Sequence, residues 1–265
     1  MTMVKRRILP TRAFGGEPDV PDIPVLAEWV AQNRGKAGDL VSFQLDRALT
    51  LQRSCEITIP CIGGKFYKDR VMGCLTGIET TTVTGEIAVQ TGTVRNDAQG
   101  IVQGKKNIWC ALPAPHMLGI TDSYYHDEDE WHDAIAGAYR TLMRSMRDGG
   151  IGGHVLICDA IDEVELSALS RQNVMFFAQN PDREGLAALM EYQRQVVVDR
   201  HHLATVFDLT GEYEINTLII LDPDTESIAL ALSEFDPDQL MAGGYSTGNS
   251  EGYWKNLVAS AGYTI

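Results

Sequence analysis

The chain has 265 residues, 44% apolar and 22% charged, with a formal net charge of −14; this length can bury a sizeable core, as one large domain or two intimately packed ones, and the composition argues against disorder. The acidity is uneven, with eleven Lys/Arg against eight Asp/Glu in residues 1–70 and eleven against twenty-eight in the rest, so the body repels a phosphate backbone and nonspecific nucleic-acid binding is disfavoured. No apolar run approaches the roughly 18 residues of a membrane span, and the five cysteines, Cys55, Cys61, Cys74, Cys110 and Cys158, contain no C-x-x-C pair, which reads as a cytoplasmic protein with buried, reduced thiols and no membrane partner.

The opening stretch MTMVKRRILPTRAF is basic and lacks the apolar core of a signal peptide. It reads as an extended arm, either a first strand or a clasp for the acidic surface of a neighbouring copy. Pro18, Pro21 and Pro24 bar a helix until Val25, from which a short one runs to Asn33. From Asp39 the period changes to two. Leu40–Leu45 and Cys55–Cys61 alternate, the latter aligning Cys55, Ile57, Ile59 and Cys61 on one strand face. Residues 71–110 are dense in Val, Ile, Thr and Gly, and Thr84-Gly85-Glu86 and Asn96–Gly100 read as turns in a meander of about four strands. Ile108–Leu112 is a further strand, stopped by Pro113 and Pro115.

The clearest pattern is a helix from Glu128 to Arg147. Trp131, Ala134, Ile135, Ala138, Tyr139, Leu142, Met143 and Met146 recur at three and four residues, Asp127 and Glu130 form a capping pair, and Gly149-Gly150 close the helix. Val155–Cys158 then reads as a buried strand with Asp159 just past its end. A helix over Asp162–Arg171, a strand over Val174–Ala178 and a helix over Asp182–Arg194 continue the alternation. Beyond them the pattern predicts antiparallel strands at Leu203–Leu209, Tyr213–Leu221 and Ser227–Phe235, and a final helix over Glu251–Ala261 after the glycine-rich GGYSTGNS.

These elements predict an α+β (mixed α/β) fold: a β-rich N-terminal half, then mixed and antiparallel sheet with helices. Three regions are expected, an arm and short helix at 1–38, a β-rich part at 39–115 and an α/β part at 116–265, packed as one globular unit.

Site chemistry concentrates around Pro115–Asp162. Imidazole with carboxylate suits zinc, iron or manganese, so His126, His132 and Asp133 are candidate ligands for a divalent metal; capping of the helix by acids explains Glu130 and Asp133 equally well. His116, Tyr124, His126 and Asp159 are the candidate catalytic residues, Asp159 because ligands of α/β proteins bind beyond strand ends, with Asp208 and Asp222 as possible carboxylate partners. His201 and His202 beside Asp199 offer acid–base chemistry or simply a polar turn. GGYSTGNS matches neither the phosphate-loop nor the nucleophile-elbow pattern. The expected function is a cytoplasmic small-molecule enzyme, a metal-assisted hydrolase or lyase, with cofactor unknown beyond a divalent metal. The alternative is a noncatalytic assembly subunit, a homo-oligomer or part of a complex joined through its basic arm.

Overall fold

A computed structural model of the protein describes residues 6–33, 38–248 and 251–264. In chain order the first half forms β1 (Arg6–Ile8), β2 (Thr11–Glu17), α1 (Ile23–Gln32), α2 (Leu40–Ser54), β3 (Cys61–Gly63), α3 (Lys68–Met72), β4 (Leu75–Glu79), β5 (Thr82–Val89), α4 (Gly92–Val102), β6 (Trp109–Pro113) and β7 (Thr121–Asp122). There follow α5 (Glu128–Asp148), β8 (Gly153–Cys158), α6 (Glu163–Leu169), β9 (Val174–Ala178), α7 (Arg183–Tyr192), β10 (Gln195–Val198) and α8 (Leu203–Leu209). The chain ends with β11 (Thr217–Leu221), α9 (Thr225–Ala231), β12 (Leu240–Thr247), α10 (Glu251–Ser260) and β13 (Gly262–Thr264).

Two four-stranded sheets, ordered β10-β11-β12-β2 and β3-β6-β8-β9, are parallel throughout. They meet at both edges. At one, Arg12 bridges Ile59 in parallel, Ala13 N–H donates to Ile59 O at 2.9 Å and Ile59 N–H to Thr11 O at 3.0 Å. At the other, β9 lies against β10. The result is a closed barrel of parallel strands, each followed by helix, the (β/α)8 architecture.

Each seam is completed by a glutamine side chain. Gln52, buried on α2, accepts from Cys61 N–H at 2.7 Å and donates to Cys61 O at 2.8 Å. Gln193, past the end of α7, accepts from Phe176 N–H at 2.9 Å and donates to the carbonyls of Phe176 and Gln195 at 3.1 and 3.0 Å. A primary amide presents the donor and acceptor of a peptide group, so each glutamine satisfies backbone groups of buried strand residues, Cys61 and Phe176, at a seam.

Contacts between non-adjacent strands identify the lumen. At its floor the Arg12 guanidinium stacks 4.2 Å from the Trp109 ring and donates to Gln195 Oε1 at 2.7 Å. Gly153 is glycine because a Cβ there would stand 2.8 Å from that indole. Burial lowers the Arg12 pKa to about 10, with the nearby Cys61 acting in the opposite direction. Above it Phe14, Phe177 and Tyr245 stack with centroid separations of 5.0 and 5.8 Å. Both faces of the strands are buried: in β8, Val155 and Ile157 belong to one core cluster and Leu156 and Cys158 to the other.

The β-rich, antiparallel reading is corrected at particular segments. Leu40–Leu45 belongs to α2, Leu203–Leu209 is α8, and Ser227–Phe235 mostly forms α9 and its end. Each of these helices starts at an aspartate: Asp39 accepts from Ser42 N–H, Asp199 from the amides of His201 and His202 in the turn leading into α8, and Asp224 from Ser227 N–H in a capping box. Cys55 caps the end of α2, and Glu56 follows at φ 58°, so the expected four-residue face of Cys55, Ile57, Ile59 and Cys61 does not form. Asn96–Gly100 lies inside α4, where Val94, Ala98 and Ile101 are buried at helical spacing. Antiparallel pairing occurs in the β4–β5 hairpin and between β1 and β13. Arg6–Ile8 of the arm is thus taken up by the chain's own C-terminal strand.

The helix from Glu128, the strand ending at Cys158, the strand Val174–Ala178 and the helix starting near Asp182 stand where the pattern places them. All five cysteines are free and buried. No helix among the described residues is long and apolar enough to cross a membrane.

Two stability predictions follow from buried polar groups. Gln52→Leu strips both bonds from Cys61 and should lower the unfolding free energy by roughly 2–5 kcal/mol in urea titrations, the cost of two orphaned backbone groups. His154, fully buried in β8 with neither ring nitrogen bonded, has its pKa pushed down to about 3 by burial, with Arg147 adding to the effect. The unfolded chain therefore binds the proton first, and stability falls as pH drops from the ordinary imidazole value toward 3, by about 1.4 kcal/mol per unit from this group. His154→Leu should flatten the fall in melting temperature between neutral pH and pH ~4.5.

Candidate active site

Parallel closure brings the C-terminal ends of all the barrel strands to one mouth, and side chains just past those ends converge on it. After β6, Pro115–Leu118 forms a single 3-10 turn that Gly119 ends at φ 65°. It carries His116. Nδ1 lies 2.9 Å from Glu165 Oε2, Nε2 lies 2.9 Å from Asp159 Oδ1, and the backbone N–H donates to Glu165 Oε1 at 2.6 Å. Asp159 follows β8 directly, and Glu165 stands in the first turn of α6, whose cap Asp162 accepts from Val164 and Glu165 N–H. The Glu165 side chain is 8% exposed and that of Asp159 69%, so the imidazole has one buried anchor and one partner in solvent.

The bond from Glu165 is the largest influence raising the His116 pKa; burial opposes it and Asp159 adds to it. For Asp159, slight desolvation works upward, but the bond and charge of His116 hold its pKa below the usual carboxylate value. With a carboxylate on each ring nitrogen, the imidazolium donates to both.

At the centre of the mouth the Tyr245 hydroxyl, above the Phe177 ring, donates to Glu17 at the end of β2, and Lys65 N–H donates to the same Glu17 Oε1 at 3.2 Å. Burial first and Glu17 second raise the Tyr245 pKa. Close approach of the β2 and β3 ends requires glycine: a Cβ on Gly64 would lie 2.0 Å from Gly16 O. From β3 the Lys65 ammonium reaches Gln179 Oε1 beyond β9 at 3.2 Å. On the far side Asp222, past β11 at φ 45°, accepts from the Tyr253 hydroxyl at 2.6 Å, and burial raises its pKa against that bond. Past β10, Asp199 Oδ1 lies 2.7 Å from His202 Nδ1.

Of the four expected catalytic residues the structure brings together His116 and Asp159. Tyr124 and His126 stand apart from them, their amides held by Asp122 at 2.9 Å each, with Tyr124 facing a surface shared with Glu86, Ile87, Tyr125, Glu130 and Ala134. His126 sits before α5 at φ 55°, whereas His132 and Asp133 lie on the helix itself. Among the described residues no group of three or more His, Cys, Asp or Glu is placed to hold a metal ion, and His126, His132 and Asp133 are no exception. Asp208 lies in α8, paired with Arg183, rather than beyond a strand. Glu17, Lys65, Glu165, Gln179 and Tyr245 escaped the sequence reading. The signal for Glu17, Lys65 and Gln179 is that each stands at or within two residues of the end of a strand rich in apolar or glycine residues, but only the ring order makes those ends neighbours.

No protein-family model and no curated protein matches the chain. Two solved structures resemble it in fold over nearly its whole length. One, from Listeria monocytogenes and proposed to be a vitamin-B12-independent methionine synthase, has a TM-score of 0.67 at 16% identity, with 96% of each chain covered. The other, a B12-independent methionine synthase from Shewanella sp. W3-18-1 in complex with selenomethionine, has a TM-score of 0.58 at 13% identity, covering 96% of this chain and 97% of that one.

The charge on His116 has a measurable signature. Its NMR titration should lie above the ordinary imidazole value, and Glu165→Gln should lower it further than Asp159→Asn. The raised imidazole pKa stabilises the fold below ~6.5 and that contribution is lost as pH rises through the folded value; the depressed Asp159 pKa stabilises above ~3.8 and is lost on acidification. A His116→Asn variant should therefore differ most in melting temperature from the parent between these limits.

Proposed function

We infer that the chain is an enzyme acting on a small molecule at the barrel mouth, with His116 as the proton carrier. The observation that supports this reading is the imidazole held between buried Glu165 and exposed Asp159. Glu165 fixes the ring and its Nδ1–H, so Nε2–H is the proton free to leave toward a substrate that displaces or joins Asp159. An orienting carboxylate on one nitrogen and a solvent-facing proton on the other is the arrangement general acid catalysis requires. The fold lends support by analogy, since enzymes built on parallel barrels place their chemistry at this face, and both resembled structures are described as methionine synthases.

Hydrolysis or elimination is the reaction class this geometry serves best. Both deliver a proton to a departing oxygen or nitrogen, the role of His116 Nε2–H, and both need a second group to take a proton from water or carbon. Glu17, bonded to Tyr245 at the centre of the mouth, is that group. The cysteines are poorly placed for nucleophilic work: all are buried, and burial raises the thiols of Cys61 and Cys158 to about 12.

The test is depletion of metabolites from a small-molecule extract by the purified chain, followed by kinetics on the compound consumed. His116→Asn should reduce kcat about 10²–10⁴-fold, and Glu165→Gln should shift the acidic-form limb of the pH profile to lower pH. An extract left unchanged, or turnover indifferent to His116→Asn, would overturn the assignment.

A further inference from the structure

We propose that the substrate is a small-molecule anion and that Lys65 and Lys68 are the pair that recognises it; this rests on the mouth being the active site. Lys65 opens a 3-10 turn, Lys65–Tyr67, that runs directly into α3 at Lys68. Residues three apart in such a helical segment leave its axis on the same side, so Lys65 and Lys68 stand on one face, with the Lys65 ammonium reaching Gln179 and that of Lys68 reaching toward Gly119. Gly64 and the bond from Lys65 N–H to Glu17 fix the start of that turn at the end of β3.

Charge bookkeeping around the mouth singles out this pair. The imidazolium of His116 is opposed by two carboxylates, and Arg200 by Asp224 and Glu226. Lys65, by contrast, meets only the neutral amide oxygen of Gln179, and among the described residues neither Lys65 nor Lys68 forms an ion pair. In a chain with thirty-six acidic residues against twenty-two Lys and Arg, two lysines at the mouth without a carboxylate partner form a local positive edge that attracts an anion.

The pair also stands beside the proton carrier. Lys68 Nζ lies 3.8 Å from where a Cβ on Gly119 would stand, and Gly119 ends the turn that carries His116, its N–H donating to His116 O at 3.1 Å. An anionic group held by Lys65 and Lys68 is therefore bound on the side of the mouth where the turn carrying His116 ends, with the Lys65–Gln179 bond as the contact it replaces. Carboxylate and phosphate share this chemistry.

The test uses isothermal titration at constant ionic strength with propionate, succinate, inorganic phosphate and glycerol phosphate, and with propionamide and glycerol as neutral counterparts. At least one anion should bind saturably and its counterpart should not; which of the two series binds tells carboxylate from phosphate. The double variant K65Q/K68Q should lose at least about ten-fold in affinity, while K65R/K68R stays within about three-fold. Lys106→Gln, at the opposite end of the barrel, should leave anion affinity within a few-fold. No saturable binding by any anion, equal binding of a neutral counterpart, or a loss in Lys106→Gln equal to that in K65Q/K68Q would overturn the proposal. Anion binding alongside failed turnover tests would leave the recognition pair standing and remove the proton-carrier assignment, so the two fail separately.

Discussion

Closing a sheet into a ring leaves no free edge only if the last seams find partners for their backbone groups. This chain meets that condition twice with a glutamine amide, Gln52 where β3 meets β2 and Gln193 where β9 meets β10. Each arises from a helical segment outside the ring and reaches in to replace a peptide group. Every feature of the mouth depends on this closure, because only in a ring do Glu17, Lys65, His116, Asp159 and Gln179 become neighbours.

The lumen below is filled rather than open. Arg12 lies at the floor, 2% exposed, shielded by Trp109 and bonded to Gln195, and the stack of Phe14, Phe177 and Tyr245 rises from it. Tyr245 is where this column changes character. Its ring packs against Phe177, and its hydroxyl is the first polar group presented to the mouth, so the column that stabilises the barrel also sets the floor of the site.

The two ends of the mouth differ in electrostatic style. Around His116 a cation is bracketed by carboxylates, one buried and one free to exchange with solvent, a combination that holds a proton firmly while leaving it reachable. Around Lys65 and Lys68 the cations stand without counter-charges. A charge-satisfied imidazolium and a cationic edge without ion pairs thus share one mouth, because consecutive strand ends carry different residues on a common ring.

By itself the sequence determined the elements whose periodicity and flanks agree. The helix at Glu128–Asp148, with its apolar stripe and aspartate cap, and the continuous apolar strands at Val155–Cys158 and Val174–Ala178 were legible because no tertiary contact had to override local preference. Leu203–Leu209 and Ser227–Phe235 were misread because Val, Phe and Ile suggest strand, although the aspartates ahead of them carried the helix signal in the sequence. Asp159 was recognisable as a carboxylate past a strand, and His116 as one histidine of several. Tertiary structure alone decided that these two meet, that Glu165 joins them, and that Tyr124 and His126 do not. The reason is physical: the pairing follows from which strand lies beside which, and strand order in a closed parallel barrel is fixed by right-handed crossovers and seam closure, which no local stretch of residues encodes.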